Sequence, residues 1–231
     1  MIKEQRYDVI KEFLKGKGIV LVEKISIELT IPLTTLRRDL NGMDKLGIIN
    51  KHHGGVELVE SFIIPEEFFD HKVAINIKEK LEIAKKAISK IKRNESIFID
   101  AGSNGYYIAK LLKPNLELTI VTNSIYNIQE LSKNGHKNIY LLGGKFKVVT
   151  GAIVGYEAIE ALKNYNFDKA FIGVNAVDKN NDIYTTSSEH AQIKIEIIKH
   201  SQKAYGLADS SKLNSKSFYK FANTRELELI S

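Results

Sequence analysis

The chain has 231 residues, 43% hydrophobic and 27% charged, which suits a soluble protein that buries a core as one large domain or as a small and a medium one. It has no cysteine, which excludes a disulfide framework, a thiolate metal site and a thiol nucleophile. No apolar run approaches the roughly 20 residues that span a bilayer, and the charged start lacks a signal-peptide apolar region, so a cytoplasmic protein without membrane contact is expected.

The net charge of +6 is compatible with a polyanionic partner without requiring one. Residues 1–60 hold ten Lys/Arg and nine Asp/Glu, so a nucleic-acid contact there must come from local placement rather than bulk charge.

The first predicted helix covers residues 3–15, with Tyr7, Ile10, Phe13 and Leu14 on one face and Gly16 and Gly18 ending it. Residues 19–22 read as a short extended piece, and residues 23–29 as a second helix with Ile25 and Leu29 inward. Thr30, Ile31 and Pro32 supply the turn into a third helix that stops at Gly47. In that helix Leu33, Leu36 and Leu40 have inward spacing, which spreads Thr34, Thr35, Arg37 and Arg38 over the other faces. Thr and Arg are side chains that meet phosphates and base edges when a helix lies in the major groove.

A solvated surface helix with an Arg pair is the bland alternative. What favours a reader is the stretch that follows, where two β-prone pieces flank His52-His53-Gly54-Gly55 as a hairpin. Three helices and a hairpin describe a winged helix-turn-helix over residues 1–58, with Lys51, His52 and His53 on the wing against double-stranded DNA. Metal binding by the His pair lacks a cysteine or a nearby His/carboxylate cluster.

These residues carry a resemblance. Leu36-Arg37-Arg38-Asp39-Leu40, then Leu46-Gly47, then His53-Gly54-Gly55-Val56 resemble the DeoR family of bacterial sugar-metabolism regulators. That family's DNA-binding signature is a Thr, an apolar residue, Arg-Arg-Asp-Leu and a later His-Gly-Gly-Ala. Pro32 departs from it: the family usually places there a Ser that caps the recognition helix.

Residues 59–77 read as a connector, too apolar at Phe62, Ile63, Ile64, Phe68 and Phe69 to be a floppy linker. Residues 78–92 predict an amphipathic helix with Leu81, Ala84, Ile88 and Ile91 inward and its lysines solvated. Over residues 78–231, strands at 96–100, 118–121, 138–142, 169–174 and 203–208 alternate with helices. The fold class is therefore α/β, a mainly parallel open sheet.

Ligands bind such sheets beyond the carboxyl ends of the strands. The candidates there are Asp100, Gly102, Ser103, Asn104 and Gly105, then Thr122 and Asn123, Gly143 and Gly144, Asn175 and Asp178, and Lys212. Gly102-Ser103-Asn104-Gly105 opening a helix offers amide groups to an anion, and Lys212 adds positive charge. Each block alone is ordinary turn chemistry, but together they favour a phosphorylated small molecule. With neither a P-loop nor a dinucleotide motif, no cofactor is expected.

The family resemblance extends over Asp100-Ala101-Gly102-Ser103, Val121-Thr122-Asn123-Ser124, Leu141-Leu142-Gly143-Gly144, Phe171-Ile172-Gly173 and Asp209-Ser210-Ser211-Lys212. It implies sensing of a sugar phosphate by a domain similar in fold to ribose-5-phosphate isomerase. Asn104 and Gly105 stand where the family usually has Thr-Thr or Ser-Thr. The chain also ends soon after a strand at residues 227–230, without the family's last helix, which is expected to weaken domain packing or oligomerisation.

An isomerase would need a carboxylate base. Where that enzyme family carries Asp-Gly-Ala-Asp-Glu, this chain has Asn175-Ala176-Val177-Asp178-Lys179, leaving Asp178 to bind a sugar hydroxyl. His71, His136, His190 and His200 are scattered and read as surface or core residues. The expectation is a homo-oligomeric regulator, a repressor released from its operator by a phosphorylated sugar. An isomerase-like enzyme and an activator are the alternatives.

Overall fold

In the computed structural model the chain divides into two compact units, Met1–Ser61 and Phe62–Ser231. Residues 3–59 and 66–231 are described, so the expected apolar connector residues Phe62, Ile63 and Ile64 lie outside the described residues.

The first unit runs α1 (Lys3–Leu14), β1 (Val20–Leu21), α2 (Val22–Glu28), α3 (Leu33–Lys45), β2 (Ile49–His52) and β3 (Gly55–Leu58). The extended piece expected at 19–22 is shorter, because Val22 already opens α2. Strand β3 pairs antiparallel with β1 and with β2, so the wing hairpin is tied back onto the helices. Tyr7, Ile10, Leu14, Ile25, Leu36, Leu40 and Met43 make the core, while Leu33, in the first turn of α3, is only half-buried.

Gly42 is inside α3, where glycine costs about 1 kcal/mol against alanine. A Cβ there would sit 1.9 Å from the Tyr7 hydroxyl oxygen, so the ring of Tyr7 needs the gap. Pro32 takes the N-cap position and supplies no side-chain cap. The turn before it is held instead by the Ser26 hydroxyl donating to Ile31 O at 2.7 Å.

Asp39, the acid of the Arg-Arg-Asp motif, faces inward and is 1% exposed. Arg6 Nε donates to its Oδ2 at 2.6 Å and Arg6 Nη2 to its Oδ1 at 3.1 Å, a two-pronged pair that clamps α1 to α3.

The second unit begins with α4 (Phe69–Ala74) and α5 (Ile77–Ile88), so a helix forms inside the stretch expected as connector. Then follow β4 (Ser96–Ile99), α6 (Ser103–Leu111), β5 (Thr119–Thr122), α7 (Ile125–Lys133), β6 (Ile139–Leu141), β7 (Lys145–Lys147), β8 (Ala152–Val154) and α8 (Tyr156–Leu162). The chain continues through β9 (Phe167–Gly173), β10 (Ala176–Val177), β11 (Asp182–Thr185), α9 (Ser188–Lys199), β12 (Ser201–Leu207), β13 (Tyr219–Asn223) and β14 (Glu228–Ile230).

Six strands form one sheet in the order β14-β12-β9-β4-β5-β6, every pairing parallel. Side chains alternate across it. Ile97 and Ile99 join the core under α5 and α6, and Phe98 joins the opposite core under α8 and α9. The antiparallel group β10-β11-β13 and the hairpin β7-β8 are additions that the parallel pattern did not predict.

The inner face of α5 is Lys80, Ile83, Ala84 and Ala87, with Leu81 and Ile88 half-buried, so its lysines are not all solvated. Lys80 is 2% exposed, and its amine donates to Lys72 O at 2.6 Å and Ile75 O at 2.5 Å, closing the end of α4. Burial brings its pKa from 10.5 down to about 8, opposed by Asp209 and reinforced by Lys212 and Lys72. The folded chain thus holds this proton less tightly than the unfolded one. The burial penalty is constant below pH 8 and is relieved as pH rises from about 8 to 10.5. A neutral amine keeps two N–H groups for the two carbonyls. The Tm of the parent minus that of Lys80→Met is therefore expected to grow over this window, and a flat difference in pH-resolved calorimetry refutes the account.

Candidate functional site

On the first unit, Thr34, Arg37 and Arg38 are exposed on α3 and Thr35 is half-buried. Arg37 Nη2 lies 4.0 Å from Glu23 Oε1, with both side chains well exposed, a contact worth little in water. On the wing, Lys51, His52 and His53 are all exposed. Lys51 Nζ donates to Asn41 Oδ1 at 2.7 Å, and His52 Nε2 lies 3.3 Å from Glu57 Oε1. One helix and one hairpin thus carry the seven candidates, and no side chain among them is needed for the core.

On the second unit the chain builds β4, β5 and β6 outward in one direction, then returns to place β9 on the other side of β4. The junction of β4 and β9 is the topological switch point, where loops leave in opposite directions and open a crevice. A cavity of about 50 Å³ sits there, lined by Ala101 and Gly102 after β4 and by Asn175 after β9. Thr185, Thr186, His190 and Lys194 form another side, and Glu67, Phe69, Lys72 and Thr150 complete it. A shallower depression of about 270 Å³ at Asn180–Asp182 and Asn223–Arg225 lies on turns of the antiparallel group, away from the parallel strand ends.

The expected effector residues fall into three groups. Gly102 and Asn175 line the cavity. Gly102, at φ +130°, is the N-cap of α6, so the amide groups of Ser103 and its neighbours open there without a side-chain cap. Asn175 Oδ1 accepts from the Thr185 hydroxyl at 3.1 Å.

A second group acts beneath the cavity. Asp100 is 2% exposed, pairs with the Lys194 amine and accepts from Gly173 N at 3.0 Å. Asn123 Oδ1 accepts from Ala101 N at 2.8 Å, and the Thr122 hydroxyl donates to Ile99 O at 2.6 Å, both fully buried. Asn104 is buried and donates to Leu207 O at 3.4 Å. Gly105 answers to packing, since a Cβ there would lie 2.2 Å from Asp100 O. These residues hold the shape of the strand ends and do not line the cavity.

The third group lies elsewhere. Gly143 and Gly144 lead into the β7-β8 hairpin. Lys212 does not line the cavity but adds positive charge near Lys72 and Lys80. Asp178, expected to bind a sugar hydroxyl, is taken up by its own turn, where its carboxylate accepts from Asn180 N, Asp182 N and the Tyr184 hydroxyl at 2.9–3.0 Å. The same hydrogen bonds hold the Asp178 carboxyl below its usual range against the opposing effect of burial, and burial with the Asp178 contact pushes the Tyr184 hydroxyl up to about 12.

Sequence reasoning did not place Lys72, Thr150, Thr186, His190 or Lys194 at the site. The usable signal was Asp100 itself, because a carboxylate at the end of a buried strand needs a counterion. His190 and Lys194, four apart on α9, were the matching pair to look for.

Residues 6–62 match the DeoR-like helix-turn-helix domain and residues 75–231 the DeoR C-terminal sensor domain. The chain belongs to the DeoR family. This DeoR-family regulator is 35% identical to the lactose phosphotransferase system repressor of Lactococcus lactis subsp. lactis, over 93% of this chain and 84% of that one. It is 32% identical to the repressor of the same name in Staphylococcus epidermidis, over 100% and 92% of the two chains. It is 29% identical to the uncharacterized regulator FruR of Bacillus subtilis, over 100% and 91%. The ribose-5-phosphate isomerase A of Methanocaldococcus jannaschii is similar over 60% of this chain and 55% of that one, with 19% identity and a TM-score of 0.44. This DeoR-family protein is a DNA-binding transcriptional regulator and not an enzyme. Among the described residues, no helix is long and apolar enough to cross a membrane.

Proposed function

We propose that this regulator represses a sugar-utilisation operon in the cytoplasm. It reads operator DNA through Thr34, Thr35, Arg37 and Arg38 with Lys51, His52 and His53 on the wing, and it lets go when a phosphorylated sugar occupies the cavity. The observation that carries the sensor half is the cavity's place at the β4–β9 switch point, between the uncapped start of α6 at Gly102 and the amines of Lys72 and Lys194. The Lactococcus and Staphylococcus relatives are named as repressors, which supports repression over activation.

The charge around the cavity favours an anion. Burial lowers the pKa of Lys72, and the neighbouring charges of Lys212 and Lys194 lower it further, while Glu67 and Glu66 oppose them. A phosphate would relieve that crowding of ammonium groups. Gly102 and Asn175 supply amide contacts to the sugar, Asp100 positions Lys194, and Lys212 adds to the field from outside. Two readers in a homo-oligomer would hold half-sites about 10 base pairs, or a multiple, apart. The ligand acts by its different affinity for the operator-bound and free arrangements.

A thermal-shift screen with phosphorylated sugars tests the reading. At about 100 times its Kd the true effector stabilises the fold by roughly 2.7 kcal/mol, and a panel in which none stabilises the sensor unit overturns the assignment. Lys72→Met is expected to weaken binding of that sugar phosphate by roughly 1.5–3 kcal/mol, the size of a hydrogen bond to a charged group. Its own melting temperature should hold or rise, because a crowded ammonium has gone. Isothermal titration and calorimetric melting of parent and variant check the two expectations.

A further inference from the structure

The stretch just before α4 occupies the cavity's rim in an unusual way. Glu66 Oε1 lies 2.9 Å from Lys147 Nζ and 3.2 Å from His190 Nε2, and it accepts from the Thr186 hydroxyl at 3.1 Å. The side chains of Glu66 and Lys147 are 16% exposed and that of His190 is 11% exposed. His190 first, then Lys147, hold the Glu66 carboxyl well below the usual carboxylate range, so it is an anion throughout the physiological range. Thr186 and His190 are also cavity-lining residues, so the carboxylate is bound by groups that face the ligand space.

The residues that follow Glu66 wall the same space. Glu67, Phe69 and Lys72 line it. The Phe69 ring stacks on Tyr126 with centroids 3.8 Å apart, and Phe69 N donates to Val149 O at 2.9 Å. Walled in this way on the α4 side, the cavity of about 50 Å³ has room for a few waters. Small-molecule sites measure about 300–1,000 Å³, so a sugar phosphate enters only if a wall recedes. The parallel strand ends and α9 are locked in the cores on both sheet faces. The stretch at Glu66 is held at its start by charge contacts that an incoming anion can replace one for one.

We infer that Lys147, His190 and Thr186 form an anion subsite of the effector pocket, that Glu66 fills it, and that the anionic group of the effector displaces Glu66 from it. This rests on the effector reading above. The displaced stretch is continuous in sequence with the DNA-reading unit, so occupancy of the subsite is passed along the chain. The coupling is reciprocal: whatever the effector takes from Glu66, Glu66 takes from effector affinity.

The chain has no cysteine, so Phe68→Cys, at a position 63% exposed, takes a single environment-sensitive fluorophore on the full-length protein. Inorganic phosphate is the first probe and a set of sugar phosphates the second. Glu66→Gln and Glu66→Ala are expected to show the shifted emission without ligand, to bind inorganic phosphate about tenfold more tightly, and to bind operator about tenfold more weakly. Lys147→Met should show the shifted emission without the gain in phosphate affinity, since it removes the subsite along with the contact. If Glu66→Gln and Glu66→Ala match the parent in emission and phosphate affinity, the displacement is wrong. If the emission responds to both substitutions while no sugar phosphate changes operator binding, the displacement stands and the effector reading falls.

Discussion

Asp39→Ala is expected to unfold the DNA-reading unit while leaving the sensor unit folded. The carboxylate is 1% exposed and its partner Arg6 15%, and removing the carboxylate breaks a buried, two-pronged ion pair between α1 and α3. The cost is about 3–5 kcal/mol. A domain of this size holds of order 0.05–0.15 kcal/mol per residue, so the loss consumes most of what about 60 residues can supply. Calorimetry should show one of two transitions moving steeply down and the other unchanged. Arg6→Met with Asp39→Leu is expected to recover much of the stability, because an apolar pair needs no desolvation of charge. A reader transition that survives Asp39→Ala unshifted would refute the clamp.

The second large effect falls one and two residues earlier and has the opposite cause. Replacing Arg37 and Arg38 together by alanine should leave both melting transitions within about 0.5 kcal/mol of the parent, as for exposed sites away from special features. Operator binding should fall by roughly 2–6 kcal/mol, taking 1–3 kcal/mol for each bidentate pairing with a base that the arginines supply. The salt dependence of binding should flatten by about one for each phosphate that is no longer neutralised. Parting Arg37 from Glu23 on DNA costs little, since the two sit 4.0 Å apart in water. Retained operator binding at moderate salt would remove α3 as the reader. Substitutions within one short motif are thus expected to abolish the same activity, one through stability and the other through recognition.

That contrast bears on what the residues alone disclose. Leu36, Leu40 and the Arg pair announce a helix with one apolar and one cationic face, and α3 has both. Asp39 carries no such label: its periodicity is that of an inward position and its chemistry that of an outward one. Only the pairing with Arg6, 33 residues away, resolves the conflict. The parallel strands were legible because strands buried on both faces read as unbroken apolar runs. The short β10-β11-β13 group was not, since two to five residues leave too little periodicity.

The cavity follows the same division. Its place was legible from the glycines and asparagines at the strand ends, because the switch-point rule depends on topology alone. Its lining was not, because Lys72, His190 and Lys194 reach it from helices whose other faces are ordinary surface. Asp178 looked available in the sequence because nothing local reveals that the amides of Asn180 and Asp182 will claim its oxygens.

The order in which the sheet is assembled sets a delay in the life of each new molecule. The reader's elements are complete by Leu58, whereas the cavity floor needs the contact of Asp100 with Lys194, 94 residues apart, and the sheet is finished only at β14. At about 5–20 residues per second of synthesis, some 10–30 s separate a finished reader from a finished sensor. Local helical contacts form in far less time than that. Each nascent chain therefore passes through an interval in which the elements of its first unit are complete and the floor of the cavity in its second is not.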